Sequence, residues 1–221
     1  PDDHVTNTNR YALSWRHSEQ FAPWLSGFVN LNKVSDDTYF ADLADRVAVT
    51  AQTTLPREAA LTTGYGPLSA TVHVQSFPTL QDPTQPIAPP YNMLPQVTVN
   101  YAETNYFGLN WSGAAEYTQF RSATLPEGDR AVLYPQASWS REGAAWFFTA
   151  RGSVHMRAYD LDPGKSTETH PTVAVPIASV DTGLTFERDW TLFGRDFVNT
   201  LEPRPFYLYI PSRSQHRSGR L

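Results

Sequence analysis

The sequence predicts an all-β fold, an antiparallel meander of about nine to eleven strands that forms part of a large outer-membrane β-barrel. Three observations predict it: apolar and polar residues alternate along most of the chain, the polar positions carry almost no lysine, and short connections alternate with long ones. No apolar run approaches the ~20 residues of a membrane-spanning helix. Barrel strands never form such runs, because only every second side chain faces lipid.

Alternation with a period of two is clearest in two segments, Phe107–Thr118 and Trp146–Arg157. Shorter segments of the same kind are Tyr11–Arg16, Leu25–Asn32, Ala59–Thr63, Leu68–Phe77, Gln96–Tyr101, Ala131–Ser140, Val180–Glu187 and Leu201–Ile210. Helical periodicity is confined to Asp37–Arg46. We expect the apolar positions of the strands on the convex, lipid-facing side; they include Leu109, Trp111, Val72, Val74, Phe148 and Val154.

The composition of the polar positions separates a barrel from a soluble β-sandwich, which also alternates. A solvated sandwich face is usually rich in charged side chains. Here the polar positions hold mostly Ser, Thr, Asn and Gln with some Arg and His, and the only lysines are Lys33 and Lys165. Such a face suits the polar lumen of a barrel.

The connections between the predicted strands alternate in length, as they do in outer-membrane barrels. The short ones are Glu19–Pro23, Gly64–Pro67, Glu103–Tyr106 and Arg141–Ala145. The long ones are Val34–Gln52, Pro78–Pro95, Ser122–Asp129 and Leu161–Pro176. Arg188–Thr200 should be short and is not, so either the strands there run further than drawn or the rule fails at that point.

Composition and motifs argue against several function classes. A net charge of -5, from 17 Lys+Arg and 22 Asp+Glu, does not suit a dedicated nucleic-acid binder. Asp181-Thr182-Gly183 matches an aspartic-protease triplet, but that chemistry needs two carboxylates and no second triplet occurs. There is no cysteine, and the six histidines form no HExxH motif. The sequence therefore predicts no enzyme, and no catalytic, cofactor-binding or metal-ligating residue.

Four blocks carry a family resemblance. The most specific is Thr200–Pro211, TLEPRPFYLYIP, which follows Ser179–Asp189, SVDTGLTFERD. Upstream lie Val34–Leu43, VSDDTYFADL, and Leu94–Gln96, LPQ. In this order the blocks resemble the LPS-assembly outer-membrane protein family LptD, also called the organic-solvent-tolerance family. One departure follows Pro211, where the chain has Ser-Arg-Ser-Gln instead of the family's Tyr-Arg-Asp/Asn-Gln.

The resemblance implies that residues 1–221 are a partial β-barrel domain of a longer protein, whose N-terminal periplasmic domain and remaining strands lie outside this segment. It implies a place in the cell outer membrane, in the translocon that assembles lipopolysaccharide into the outer leaflet. The implied partners are lipopolysaccharide, an LptE-like lipoprotein plug, periplasmic LPS-bridge proteins and outer-membrane lipid. No nucleic acid and no cofactor is expected.

Four arginines are candidates to face the lumen and lipopolysaccharide: Arg16, Arg121, Arg151 and Arg157. Guanidinium groups donate charge-assisted hydrogen bonds to phosphate. The alternative is that these are ordinary lumen arginines paired with Glu58, Glu116 or Glu187.

Two other functions are compatible with the alternation, a passive porin-like channel barrel and a soluble carbohydrate-binding β-sandwich. The resemblance favours the translocon over the porin. A sandwich would fold in buffer without detergent, which a barrel wall would not.

Overall fold

The computed structural model describes residues 2–3, 8–39, 54–80, 88–163 and 169–212, and nearly all of them lie in or between β-strands. The strands are β1 (Asp2–Asp3), β2 (Thr8–Asn9), β3 (Ala12–Ala22), β4 (Leu25–Val34), β5 (Arg57–Tyr65), β6 (Leu68–Ser76), β7 (Asn92–Tyr106), β8 (Leu109–Arg121), β9 (Gly128–Gly143), β10 (Trp146–Leu161), β11 (Thr172–Leu184), β12 (Phe186–Leu192), β13 (Arg195–Leu201) and β14 (Phe206–Tyr209). Within these ranges no helix is long and apolar enough to cross a membrane. The expected helix Asp37–Arg46 lies mostly outside the described residues.

Ten strands form one antiparallel sheet in the order β14-β11-β10-β9-β8-β7-β6-β5-β4-β3. From β3 to β11 each strand pairs with the next one along the chain, which confirms the predicted meander. β12 and β13 pair with each other in a separate two-stranded ribbon, and so do β1 and β2. β9 and β10 have 16 residues each, more than the roughly 9–11 that a tilted strand needs to cross the hydrocarbon core.

The connections alternate in length as predicted. β3–β4, β5–β6, β7–β8 and β9–β10 are joined by two residues each, whereas residues 35–56, 77–91, 122–127 and 162–171 make the longer connections between them. Because consecutive strands reverse direction, all the short turns lie at one end of the sheet and all the longer connections at the other. We call these the short-turn end and the long-loop end.

The predicted short connections Glu19–Pro23, Gly64–Pro67 and Arg141–Ala145 begin inside β3, β5 and β9, which run further than expected. Three further differences change where particular residues lie. The β7–β8 turn is Phe107-Gly108, after the predicted Glu103–Tyr106, and both turn residues have positive φ (53° and 79°). Phe107 therefore lies in the turn and not in β8. Arg188–Thr200 is not a long connection, because β12 and β13 continue through it to a two-residue turn at Phe193-Gly194. Pro95 lies inside β7, where the register shifts between Met93 and Gln96; such a bulge accommodates a residue without an N–H.

The register assigns every strand residue to one of two faces, because directly paired residues point the same way. Val72 pairs with Leu61 and Val97, and this row continues through Tyr117 to Ala131. By the same pairing the six residues predicted to face lipid share one side, which we call the apolar face: Leu109, Trp111, Val72, Val74, Phe148 and Val154. The opposite side is called the polar face.

No second sheet of the described chain covers the apolar face. Leu61 remains 52% exposed, Val72 46% and Leu133 45%. The buried apolar side chains of the described residues are few and lie mostly at strand ends and loops: Leu55, Ala60, Leu80 and Leu161. Apolar surface of this extent is unfavourable in water and favourable in a bilayer. The arrangement contradicts the β-sandwich alternative, whose apolar faces pack on each other.

Gly128, the first residue of β9, is predicted to tolerate no side chain. A Cβ there would lie 2.7 Å from the Asp160 carbonyl oxygen and 2.7 Å from Leu161 Cδ2. We expect G128A to destabilise the folded barrel by roughly 1–3 kcal/mol, the usual cost of overpacking. The measurement is the temperature at which the full-length protein in detergent loses its fast electrophoretic mobility.

The matched control is G152A in β10, because a Cβ at Gly152 would meet no atom within 4 Å. This variant should keep the parental transition temperature. Equal transitions for the two variants would contradict the close approach at Gly128.

Candidate functional site

Polar side chains on the polar face bond to one another across strands. Ser14 Oγ donates to Asn32 Oδ1 (2.9 Å), and Asn30 Nδ2 donates to Glu58 Oε1 (3.1 Å). Further cross-strand pairs are Thr62 with Thr71, Gln136 with Ser112, and Ser140 with Thr149, at 3.0–3.2 Å. Side chains of neighbouring strands thus form a hydrogen-bonded polar surface along this face. Among the described residues, no three His, Asp or Glu side chains converge to hold a metal ion.

A charged cluster lies on the polar face where β7, β8 and β9 meet. Arg130 Nη2 donates to Glu116 Oε1 at 2.6 Å, and Thr118 Oγ1 donates to the same oxygen at 3.0 Å. The Arg130 guanidinium carbon also lies 5.0 Å from the centre of the Phe120 ring. Sequence reasoning missed Arg130 because it assigned Ser122–Asp129 to a loop and started the strand at Ala131. The alternation does extend back through Arg130, and this was the available signal.

Three of the four predicted arginines lie on the polar face. Arg16 pairs in register with Asn30, Arg151 with Ser138 and Ser179, and Arg157 with Val132 and Val173. All three are exposed. Within the described part of the chain none of them forms an ion pair within 4.0 Å. Their positions on β3 and on opposite halves of β10 spread them along the face instead of bringing them together.

Arg121 lies on the other side of the sheet. β8 pairs with β9 without a shift from Asn110 to Phe120, so Arg121 shares the apolar face with Tyr117. Its Nη1 donates to Asp129 Oδ1 at 3.0 Å, and the Tyr117 hydroxyl donates to Asp129 Oδ2 at 2.7 Å. This cluster lies at the long-loop end, where the apolar face gives way to polar residues.

The glutamates proposed as arginine partners bond elsewhere. Glu116 pairs with Arg130 (2.6 Å), and Glu58 accepts from Asn30 Nδ2 (3.1 Å), with His73 Nε2 3.5 Å away. Arg130 is a diagonal neighbour on the adjacent strand, within reach of long side chains, and Asn30 is the direct register partner of Glu58. Glu187 lies on the β12–β13 ribbon, paired in register with Thr200. None of the three therefore neutralises Arg16, Arg151 or Arg157 among the described residues.

An arginine clasp joins the two most specific sequence blocks. Arg204 donates from Nε to Asp181 Oδ1 (2.9 Å) and from Nη2 to Asp181 Oδ2 (2.5 Å). The same guanidinium lies 5.4 Å from the centre of the Phe147 ring. A two-pronged bond of this kind fixes direction as well as distance. It holds the chain against β11 where it returns from the ribbon to the sheet.

Two prolines explain why the chain needs a clasp there. Thr182 N donates to the Pro205 carbonyl (3.2 Å) and Leu184 N to the Pro203 carbonyl (3.1 Å). Proline has no N–H to return these bonds. The ladder between residues 202–205 and β11 is consequently one-sided, and regular pairing resumes only at β14.

A second arginine contact holds the chain around the turn after β4. Arg10, 5% exposed, donates from Nε to Asp36 Oδ2 (2.9 Å) and from Nη2 to Asp36 Oδ1 (2.6 Å). The pKa of the Asp36 carboxyl lies below its ordinary value of 3.8, first because of these hydrogen bonds; partial burial opposes the shift, and hydrogen bonds from Ser35 and Thr38 add to it. Ser35 and Asp36 belong to the block Val34–Leu43, so this block has a structural function, which is to bind the Arg10 side chain.

An antiparallel meander with an exposed apolar face and a hydrogen-bonded polar face is the wall of a membrane β-barrel. Comparison with known families agrees with this class. The family model described as LptD, LPS transport system D, matches residues 8–219. The chain belongs to this family.

Curated relatives carry the name LPS-assembly protein LptD. The Nitrosomonas eutropha protein is 39% identical over 97% of this chain and 31% of its own length. The Burkholderia pseudomallei protein is 40% identical, and that of Burkholderia thailandensis 37%, each over 97% of this chain and 28% of the relative. The chain thus spans about a third or less of the curated relatives that it matches.

We predict that R204Q and D181N each speed amide exchange of Thr182 and Leu184, the donors to the proline carbonyls. The physical reason is that the clasp holds residues 202–205, whose backbone hydrogen bonds to β11 run in one direction only. The measurement is hydrogen exchange of the full-length protein in detergent. R141Q, a change of the same kind in β9, serves as control and should leave both amides unaffected. If the double variant exchanges much faster than either single variant, the two side chains act independently and the clasp is refuted.

We predict an acid-labile contact at Asp36. Because the folded-state pKa is lowered, the stabilisation is fully present above pH ~3.8 and is lost as the pH falls through the lower folded value. Exchange of the Ser35 amide, which donates to the Tyr11 carbonyl at 2.9 Å, reports on it. After correction for intrinsic exchange, protection should be constant from pH 7 to 5 and fall only in strong acid. D36N should lose protection at every pH, whereas D37N should behave like the parent; protection that is unchanged in D36N would contradict the prediction.

Proposed function

We propose that this chain forms part of the wall of an outer-membrane translocon that assembles lipopolysaccharide into the outer leaflet. The observation that carries the proposal is the family membership, together with relatives named for LPS assembly. The two unlike faces of the sheet support it, because they match the two surroundings that a barrel wall separates. Family membership also favours this proposal over a passive porin-like channel. No contact in the sheet supports such a channel.

In this proposal the polar face borders the path of the sugar and phosphate groups of lipopolysaccharide. Ser, Thr, Asn and Gln offer hydrogen bonds to sugar hydroxyls, while Arg16, Arg151 and Arg157 offer cations to phosphates. Arg130 contributes less, because Glu116 already neutralises it, and Arg121 lies on the apolar face, away from the path. The apolar face holds the wall in the bilayer.

We also propose where the partners implied by the family resemblance would contact this wall. An LptE-like lipoprotein plug would contact the polar face from the lumen, and periplasmic LPS-bridge proteins would deliver lipopolysaccharide from the short-turn end. The long-loop end would then be external, as long connections are in outer-membrane barrels.

Labelling of single cysteines in residues 162–171 of the full-length protein in whole cells should succeed without permeabilisation.

Photo-crosslinking at consecutive residues of β10 tests the path. A benzoylphenylalanine at position 151 of the full-length protein should form lipopolysaccharide adducts during transport, and one at Ala150 should not, because the two side chains point to opposite faces. Both positions lie in the half of β10 nearest the short-turn end, away from the outer leaflet, where a lipid-facing probe would meet lipopolysaccharide of the membrane itself. Adducts at both faces, or at neither, would contradict the proposal.

A second measurement separates charge from position. With the crosslinker at Ile177, which pairs in register with Ser153 between the two arginines, R151Q/R157Q should reduce lipopolysaccharide adducts about fivefold, the loss expected for a charge-assisted bond in partly hydrated surroundings. R151K/R157K should keep most of them. Equal yields from the Gln and Lys variants would show that the cations do not hold the substrate.

A further inference from the structure

The β12–β13 ribbon projects beyond the short-turn end of the sheet. Seven register pairs join its strands, from Phe186↔Leu201 to Leu192↔Arg195. Its side chains are exposed throughout where they are described; Phe186 is 54% exposed, Trp190 56% and Phe197 52%. The sequence prediction assigned this segment to a connection, and neither the arginine clasp nor the proposed path explains its aromatic residues.

Charge is segregated between the two faces of the ribbon. The register places Phe186, Arg188 and Trp190 of β12 on one face with Arg195, Phe197 and Leu201 of β13. We call this the aromatic-arginine face. Glu187, Asp189 and Asp196 lie on the other, which we call the acidic face. Both arginines of the ribbon are thus on one side and all three carboxylates on the other. In the described residues neither Arg188 nor Arg195 forms an ion pair within 4.0 Å.

A ribbon bathed in water gains from placing opposite charges side by side on one face. Here the cations are grouped with aromatic rings, away from every carboxylate of the ribbon. Aromatic and arginine side chains are the residue types that settle at the headgroup level of a membrane, with rings toward the acyl chains and guanidinium groups on phosphates.

The ribbon begins where the apolar face ends. Trp146 and Leu184 pair in register on that face, at 46% and 47% exposure, and Thr185 N donates to the Ala145 carbonyl at 2.8 Å. This bond ties the start of β12 to the β9–β10 turn. The even-numbered residues of β11 lie on the apolar face, and Phe186 and Trp190 follow them in the same alternation. The aromatic-arginine face is therefore continuous with the apolar face at its short-turn border.

We propose that the β12–β13 ribbon is a membrane-interface anchor, whose aromatic-arginine face lies on the phospholipid headgroups at the short-turn end of the barrel wall. Arg188 and Arg195 bind phospholipid phosphate, and the acidic face looks toward water. This inference rests on the proposed membrane wall and adds a lipid-binding surface to it.

Two adjacent positions test the orientation, since Asn199 lies on the aromatic-arginine face and Thr200 on the acidic face. The full-length protein, with its other accessible thiols blocked, carries one environment-sensitive fluorophore at N199C or T200C. It is reconstituted into vesicles of phosphatidylcholine with or without phosphatidylglycerol. Lipid spin-labelled at the headgroup should quench the probe at 199 at least about twice as strongly as the probe at 200, and more so with phosphatidylglycerol.

Charge variants test the phosphate contact on the same ribbon. R188Q/R195Q should lose about half or more of the quenching at 199 and its dependence on phosphatidylglycerol. D189N/D196N, the matched control on the acidic face, should retain both. Inorganic phosphate added to the detergent-solubilised protein should leave the probe unchanged, because the occupant is a lipid surface and not a free anion.

A third probe separates this inference from the wall proposal. A fluorophore at V72C, on the apolar face of β6, should be quenched by lipid brominated in its acyl chains. Quenching at 72 without a difference between 199 and 200 would overturn the anchor and leave the wall intact. Loss of quenching at 72 would overturn the wall itself.

Discussion

A strand that faces hydrocarbon must find partners for all its backbone N–H and C=O groups within the sheet, because lipid offers none. The meander meets this constraint by pairing each strand from β4 to β11 with its predecessor, through two-residue turns at one end of the sheet and longer connections at the other. Once pairing is set, side-chain direction follows, and a slip of one residue would turn every apolar side chain to the lumen. The exposed apolar face and the bonded polar face are two consequences of the same ladder.

The places where the ladder is incomplete are the places with special side-chain contacts. Pro95 is accommodated by a bulge in β7, and Pro203 and Pro205 accept bonds from β11 that they cannot return. The Arg204–Asp181 clasp lies beside the second break and supplies directional bonds that the backbone lacks there. One side chain from each of the blocks Ser179–Asp189 and Thr200–Pro211 thus forms the clasp.

The proposed path makes one property of the wall important, which is the set of cations that no carboxylate neutralises. Arg130 and Arg121 are held by Glu116 and Asp129, so their positive charge organises the wall itself. Arg16, Arg151 and Arg157 have no such carboxylate within 4.0 Å in the described ranges, which is why the proposal assigns anionic groups to them. Arg188 and Arg195 of the ribbon also have no carboxylate within 4.0 Å in the described ranges. Their neighbours are aromatic rings instead of hydroxyls and amides. Two sets of cations thus face two different surroundings.

The sequence by itself determined the strand type, the meander order and the face of most side chains, because alternation with period two is a local property that turn residues punctuate. It also contained the family blocks. It did not determine that Arg130 pairs with Glu116 and Asn30 with Glu58, since contacts between neighbouring strands depend on the register. Arg121 was assigned to the lumen, although its odd number matches Trp111 and Tyr117; only the pairing of β8 with β9 showed that the strand reaches it without a bulge. The sequence also did not predict the β12–β13 ribbon. That these two strands leave the sheet follows from the pairing of β11 with β14, and their own residues do not show it. Tertiary structure decided these points because each depends on the alignment of segments far apart along the chain, and no local pattern records that alignment.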